Sequence, residues 1–86
     1  KGLDGFCRDR FRTRPEFLVK VPASLGRLGV LVEPASVLAK AWEHTEHIGR
    51  RAVWQPRRCL VTGAGPVGLM ATLMAAQRGL RVDVLD

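Results

Sequence analysis

The stretch "VTGAGPVG" at 61–68 spaces glycines at 63, 65 and 68, a GxGxxG pattern, between the apolar run "CLVT" and the Ala-, Leu- and Met-rich run "PVGLMATLMAAQR". A second apolar run, "LRVDVLD" at 80–86, follows. Strand, glycine turn, helix and strand in that order read as a β-α-β unit with a dinucleotide-binding turn. The three glycines serve different ends. Gly63 allows the tight turn, Gly65 lets backbone approach a pyrophosphate, and Gly68 lets helix and strand pack closely. Pro66 pre-sets helical φ, which leaves free N–H groups and the positive helix end facing the phosphates. Gly63, Gly65, Pro66, Val67 and Gly68 are therefore the expected cofactor-binding residues. Asp86 joins them, 18 residues after Gly68 at the carboxyl end of the second strand. A carboxylate there accepts hydrogen bonds from ribose hydroxyls and repels a 2′-phosphate, which leans toward NAD over NADP, or toward FAD. The alternative is a glycine-rich turn with no ligand. Asp83, mid-strand, is read as lying near the sheet edge and is given no function.

A chain of 86 residues makes one small domain at most, with a thin core. Lys1 at the start and Asp86 closing a strand read as an internal piece of a longer protein, and catalysis by the piece alone is not expected. The net charge of +6 and pI near 10.7 raise the question of nucleic acid. The arginines are scattered, however, with groups at 8, 10, 12 and 14 and again at 50, 51, 57 and 58. The first four alternate with Asp9, Phe11 and Thr13 and read as the solvated face of a strand, so no nucleic-acid partner is expected. Cys7 and Cys59 stand apart with no CxxC partner, as reduced thiols in a cytoplasmic enzyme would. Residues 59–77 carry no charge and have the length of a membrane span, but Gly63, Gly65, Pro66 and Gly68 split the run, and no membrane partner is expected.

Upstream, "GFCRDRF" (5–11) and "FLVKVP" (17–22), divided by "RTRPE", read as two antiparallel strands around a turn at Pro15. "PASVLAKAWEHTEHI" reads as a helix with Pro34 near its first position and Gly49 near its exit. It sets Val37, Leu38, Ala41, Trp42, Thr45 and Ile48 on one face and Lys40, Glu43 and Glu46 opposite. His44 and His47, three apart beside those acids, read as solvated rather than as a metal pair, and Met70 and Met74 as core against the sheet. Trp42 and Trp54 are expected at the junction made by the polar connector "GRRAVWQPRR".

Taken alone, residues 60–86 resemble the first FAD-binding segment of aromatic-ring flavin hydroxylases, but there the motif lies within the first few residues, and here 58 residues precede Cys59. In colinear order, "LDGF" (3–6), "EFLVKVP" (16–22), "LGVLVEP" (28–34), "KAWEH" (40–44) and "VTGAGPVG" (61–68) resemble the zinc-dependent medium-chain dehydrogenases, specifically the archaeal-type glucose dehydrogenases. That resemblance implies an α/β fold: the start of a Rossmann doubly wound parallel sheet preceded by the tail of a GroES-like, β-rich catalytic domain. Its divisions fall at 1–34 for the catalytic-domain tail, 35–58 for the linking helix and connector, and 59–86 for the first β-α-β of the nucleotide domain. It further implies NAD or NADP and Zn2+ as cofactors, an aldose such as D-glucose oxidised at the anomeric carbon to a lactone, and a dimer or tetramer of identical chains.

By the same resemblance Glu33 of "VEP" matches a glutamate that joins or approaches the catalytic zinc, which keeps about three protein ligands and an exchangeable oxygen. The competing reading is a carboxylate placed favourably at the N-terminus of the helix that follows. The family's cysteine and histidine zinc ligands are expected ahead of Lys1; neither Cys7 nor Cys59 matches them, and no catalytic residue is identifiable within these residues. Asp4 of "LDGF" lies near the substrate side in that family, and an Asp-Gly turn explains it equally well. Three readings compete with glucose: a zinc-dependent polyol or amino-alcohol dehydrogenase, an FAD-dependent monooxygenase, and a non-enzymatic nucleotide-binding protein that kept the turn and lost the metal.

Overall fold

A computed structural model describes residues 5–53 and 55–86; Asp4 and Trp54 lie outside the described residues. The chain is small α/β. A short 3-10 turn at Pro15–Phe17 and a longer 3-10 segment at Ala23–Leu31 lead into helix α1, Val32–Gly49. Strand β1 (Arg58–Thr62), helix α2 (Pro66–Gln77) and strand β2 (Arg81–Leu85) complete it.

β1 and β2 pair in parallel, Cys59 opposite Val82 and Val61 opposite Val84. Parallel neighbours need a crossover of a dozen or so residues, and α2 supplies it. Alternation along β1 half-buries Cys59 and Val61 and leaves Arg58, Leu60 and Thr62 exposed. One sheet face is thus covered and the other is open. α2 shows the same asymmetry: Gly68, Ala71, Thr72 and Ala75 lie at helical spacing on the inner side, and Ala75 is fully buried. Met70 and Met74 are half-buried, whereas Leu69 and Leu73 face outward. A helix apolar all round is the kind that larger folds bury on every side.

The end of α2 is fixed by its glycine. Gly79 takes φ of +77°, its N–H donates to Ala76 O at 2.9 Å, and the Leu80 N–H donates to Ala75 O at 3.2 Å. This is the two-bond left-handed cap that turns a helix back on itself, and β2 starts two residues later.

Upstream the structure corrects the reading of the sequence. Neither 5–11 nor 17–22 forms a strand. The Phe6 and Phe11 rings have centroids 4.7 Å apart, whereas a strand would separate these residues by about 17 Å. Arg8, Arg10, Arg12 and Arg14 would line one side of an extended strand and repel one another, and Pro15 and Pro22 remove donors from any ladder. No strand forms among the described residues of 5–34, and the arginines are exposed along an irregular segment rather than a strand face. The apolar run at 28–34 also turns helical, so α1 begins at Val32 and Pro34 is its third residue, inside the first turn where N–H groups lack intrahelical partners anyway. The covered stripe of α1 is narrower than its pattern suggests: Leu38 and Trp42 are half-buried, but Val37 and Ile48 are exposed. No helix among the described residues is long and apolar enough to cross a membrane; the uncharged run is β1 followed by α2.

Candidate nucleotide-binding site

β1 delivers the chain to Gly63, whose φ of +96° lies in the region that favours glycine. Its N–H donates to Leu85 O at 2.7 Å, so the turn is stitched to the end of the neighbouring strand. One residue on, the Ala64 N–H donates to Asp86 Oδ1 at 3.2 Å. Two hydrogen bonds therefore hold the turn against the carboxyl end of β2, at the edge of a parallel sheet where ligands of such folds bind.

Gly65 is the N-cap of α2, extended at φ −72° and ψ 178°, and Pro66 follows at the first helical position. Helix geometry leaves the Val67 and Gly68 N–H groups without intrahelical partners, and no side chain caps them. Unpartnered donors and the positive end of the helix dipole are the features that favour an anion at a helix N-terminus.

The glycines differ in what they avoid. A Cβ built on Gly68 would lie 1.9 Å from Gly63 O and 3.5 Å from Val61 Cγ1, so the helix could not approach the strand. A Cβ on Gly65 would meet nothing within 4 Å. Gly65 therefore borders open space beside the N-terminus of α2, and a side chain there would not disturb the protein's own packing.

Asp83 is accounted for elsewhere. It is two residues beyond Arg81, the register partner of Arg58, and accepts a hydrogen bond from Arg58 Nη2 at 2.8 Å. That bond and the guanidinium charge hold the Asp83 carboxyl below the usual carboxylate range, with a smaller contribution from Arg81, and raise Arg58 reciprocally. The pair belongs to the exposed sheet face, with Arg58 about 13 Å of strand away from the turn.

Glu33 lies in the first turn of α1, exposed, its carbonyl accepting from Ser36 Oγ at 2.6 Å. No group of three or more His, Cys, Asp or Glu that could hold a metal occurs among the described residues. One carboxylate does not make a zinc centre, so the described residues do not fit a complete one. His44 and His47 line a small exposed hollow with Lys40, Glu43 and Arg50. Lys40 Nζ bonds Glu43 Oε2 at 2.9 Å and holds the Glu43 carboxyl below its ordinary value. Cys7 is exposed and Cys59 half-buried, both as free thiols. The sequence reading missed the partner of Asp83 and the contacts of Arg78 with α1; strand alternation could have found the first, since 58 and 83 fall on one face.

The profile of the family described as "Glucose dehydrogenase C-terminus" matches residues 26–86. The chain belongs to this family. Among its relatives, the glucose 1-dehydrogenase of Methanocella arvoryzae is 45% identical over 83 residues, 96% of this chain and 23% of the relative. The glucose 1-dehydrogenase of Metallosphaera sedula is 37% identical, covering 100% of this chain and 26% of the relative. Glucose 1-dehydrogenase 2 of Vulcanisaeta moutnovskia is 44% identical, covering 92% and 23%. The chain thus spans about a quarter of the length of the curated relatives it matches, and the resemblance to archaeal-type glucose dehydrogenases read from the sequence is borne out. No solved structure matches it.

Proposed function

We propose that the chain is part of an oxidoreductase that transfers hydride from the anomeric carbon of an aldose, D-glucose, to NAD(P)+. The observation that carries this reading is the Gly63–Gly68 turn, held at the sheet edge with Asp86 beside it, in a chain whose relatives are named glucose 1-dehydrogenases. Residues 59–86 would open a Rossmann nucleotide domain, 35–58 would link to it, and 1–34 would close a GroES-like catalytic domain.

When bound, the nicotinamide accepts the hydride. The residues of this chain would hold the other end of the cofactor. The Val67 and Gly68 N–H groups and the α2 dipole would receive the pyrophosphate beside Gly65, and Asp86 would accept from the adenosine ribose hydroxyls and disfavour a 2′-phosphate. Zinc assistance belongs to the same reading, with Glu33 as this chain's candidate ligand and the remaining ligands outside it. The position of the turn, with 58 residues ahead of Cys59, and the colinear resemblance of those residues favour nicotinamide over flavin.

The test is glucose-dependent appearance of reduced nicotinamide with the full-length protein, before and after chelator treatment and zinc restoration. Activity that disappears and returns is expected. A folded, zinc-loaded protein that reduces neither NAD nor NADP with glucose would overturn the substrate assignment.

A further inference from the structure

Away from the turn, three contacts converge on one side chain. Arg78 Nε donates to Glu46 Oε1, the guanidinium lies over the Trp42 ring at 5.0 Å from its centroid, and Nη1 donates to Met74 O at 3.1 Å. Trp42 and Glu46 are one turn apart on α1, so a single planar fork grips one face of that helix twice. Arg78 is itself the C-cap of α2, where a cation suits the helix dipole, and the left-handed cap at Gly79 fixes its backbone. Its side chain is 35% exposed against 68% for Arg58, so its pairing is the less screened of the two. Among the described residues it makes the one side-chain ion pair between α1 and the β-α-β unit. It also borders an open groove of about 650 Å3 with Trp42, Glu46, Pro56 and Leu80, so packing at this junction is incomplete and the polar contacts matter more.

Arg78 stands at the opposite end of α2 from the glycine turn. The 12-residue helix separates them by about 18 Å, too far for Arg78 to touch a phosphate bound there. We propose that Arg78 is a positioning residue: its fork latches α1 to the β-α-β unit, so that the upstream segment carried by α1 and the nucleotide turn keep one mutual orientation during hydride transfer. The kinetic consequence rests on the dehydrogenase reading; the latch does not.

The test uses the full-length protein and the variants Arg78→Ala, Arg78→Lys and Glu46→Gln, followed by amide hydrogen exchange, single-turnover hydride transfer and binding of ADP-ribose. In Arg78→Ala, exchange in residues 42–49 should quicken about five- to tenfold, while β1 and β2 keep their protection. Hydride transfer should slow by about the same factor with ADP-ribose affinity within about twofold of the parent, since orientation and not nucleotide binding is lost. Glu46→Gln keeps an acceptor for Nε and leaves the Trp42 contact, so it should move exchange in the same direction by a smaller factor and add little to Arg78→Ala; Arg78→Lys should fall between parent and Arg78→Ala, because an ammonium cannot pair and stack at once. Unchanged exchange in 42–49, or acceleration spread equally over β1 and β2, overturns the latch. Quickened exchange with undiminished hydride transfer overturns the positioning role. A parent that binds no ADP-ribose and reduces no nicotinamide defeats the dehydrogenase reading separately, and the exchange result still decides the latch.

Discussion

Residues 5–31 and 58–86 are similar in length and both contain strand-forming runs, yet the second builds two strands and the first builds none. "FLVKVP" carries four apolar residues and "CLVT" three. The difference lies in what each finds within reach. β1 meets β2 through a crossover helix of the right length, and their ladder extends into the turn through the Gly63–Leu85 bond. Residues 17–22 have no second strand among the described residues, and Val19 is 83% exposed. Strand propensity is a fit to a half-buried pleated surface, and without that surface it decides little.

The sharpest way to break this contrast is at the glycines that let the second region close. Gly68→Ala puts a Cβ where Gly63 O already stands, 1.9 Å away, so turn and helix must part. In the full-length protein this should cost roughly 1–3 kcal/mol of stability by overpacking. Nucleotide affinity should fall by about a hundredfold or more as the backbone donors lose their aim. Gly65→Ala is the control. Its Cβ meets nothing and its φ of −72° suits any residue, so stability should change by less than about 1 kcal/mol. Affinity should still fall about tenfold, because the methyl occupies the approach of the pyrophosphate. Thermal melts beside ADP-ribose titrations separate the two, and equal melting losses would show that the Gly65 space is structural after all.

Next in size is Asp86, which the turn holds through the Ala64 N–H. Asp86→Asn keeps a side-chain oxygen for that bond and removes the negative charge. The ratio of NADP to NAD use, measured as kcat/KM for each, should rise about tenfold in the full-length protein, one charge-assisted contact's worth. A ratio that does not move would place 2′-phosphate discrimination elsewhere.

What the sequence made legible follows the same division. The turn, α2 and its flanking strands were readable because their signals are local: glycines at fixed spacing, Pro66 at the first helical position, and apolar runs of strand length. β1 begins at Arg58, one residue before the expected start, a fraying-scale difference. The strands at 5–11 and 17–22 were misread because a strand exists only with its partner, and no local pattern announces that partner's absence. Arg78 and Glu46 are 32 residues apart and meet only because α2 packs beside α1. Arg58 and Asp83 were reachable in principle, since parallel pairing with aligned carboxyl ends puts both on one face. The resemblance named the family correctly, because its matching segments run in order along nearly the whole chain.

The smallest expected effect tests whether the open sheet face contributes to the second region's order. Asp83 is bonded to Arg58, and its carboxyl lies below the ordinary value in the folded chain. The folded state therefore favours the ionised form, and the stabilisation is present above the unfolded carboxylate pKa of about 4 and is lost as pH falls through the lower folded value. Both side chains are exposed, at 68% and 47%, so screening by water keeps the effect small and salt should reduce it further. Asp83→Asn removes the titrating group. Urea midpoints of the full-length protein should therefore sit slightly lower for the variant at neutral pH and converge with the parent once the pH has fallen below the lowered folded value. Midpoints that differ equally at both pH values would mean that the side chain acts through packing or β-propensity, and the open face would then owe its order to the ladder alone.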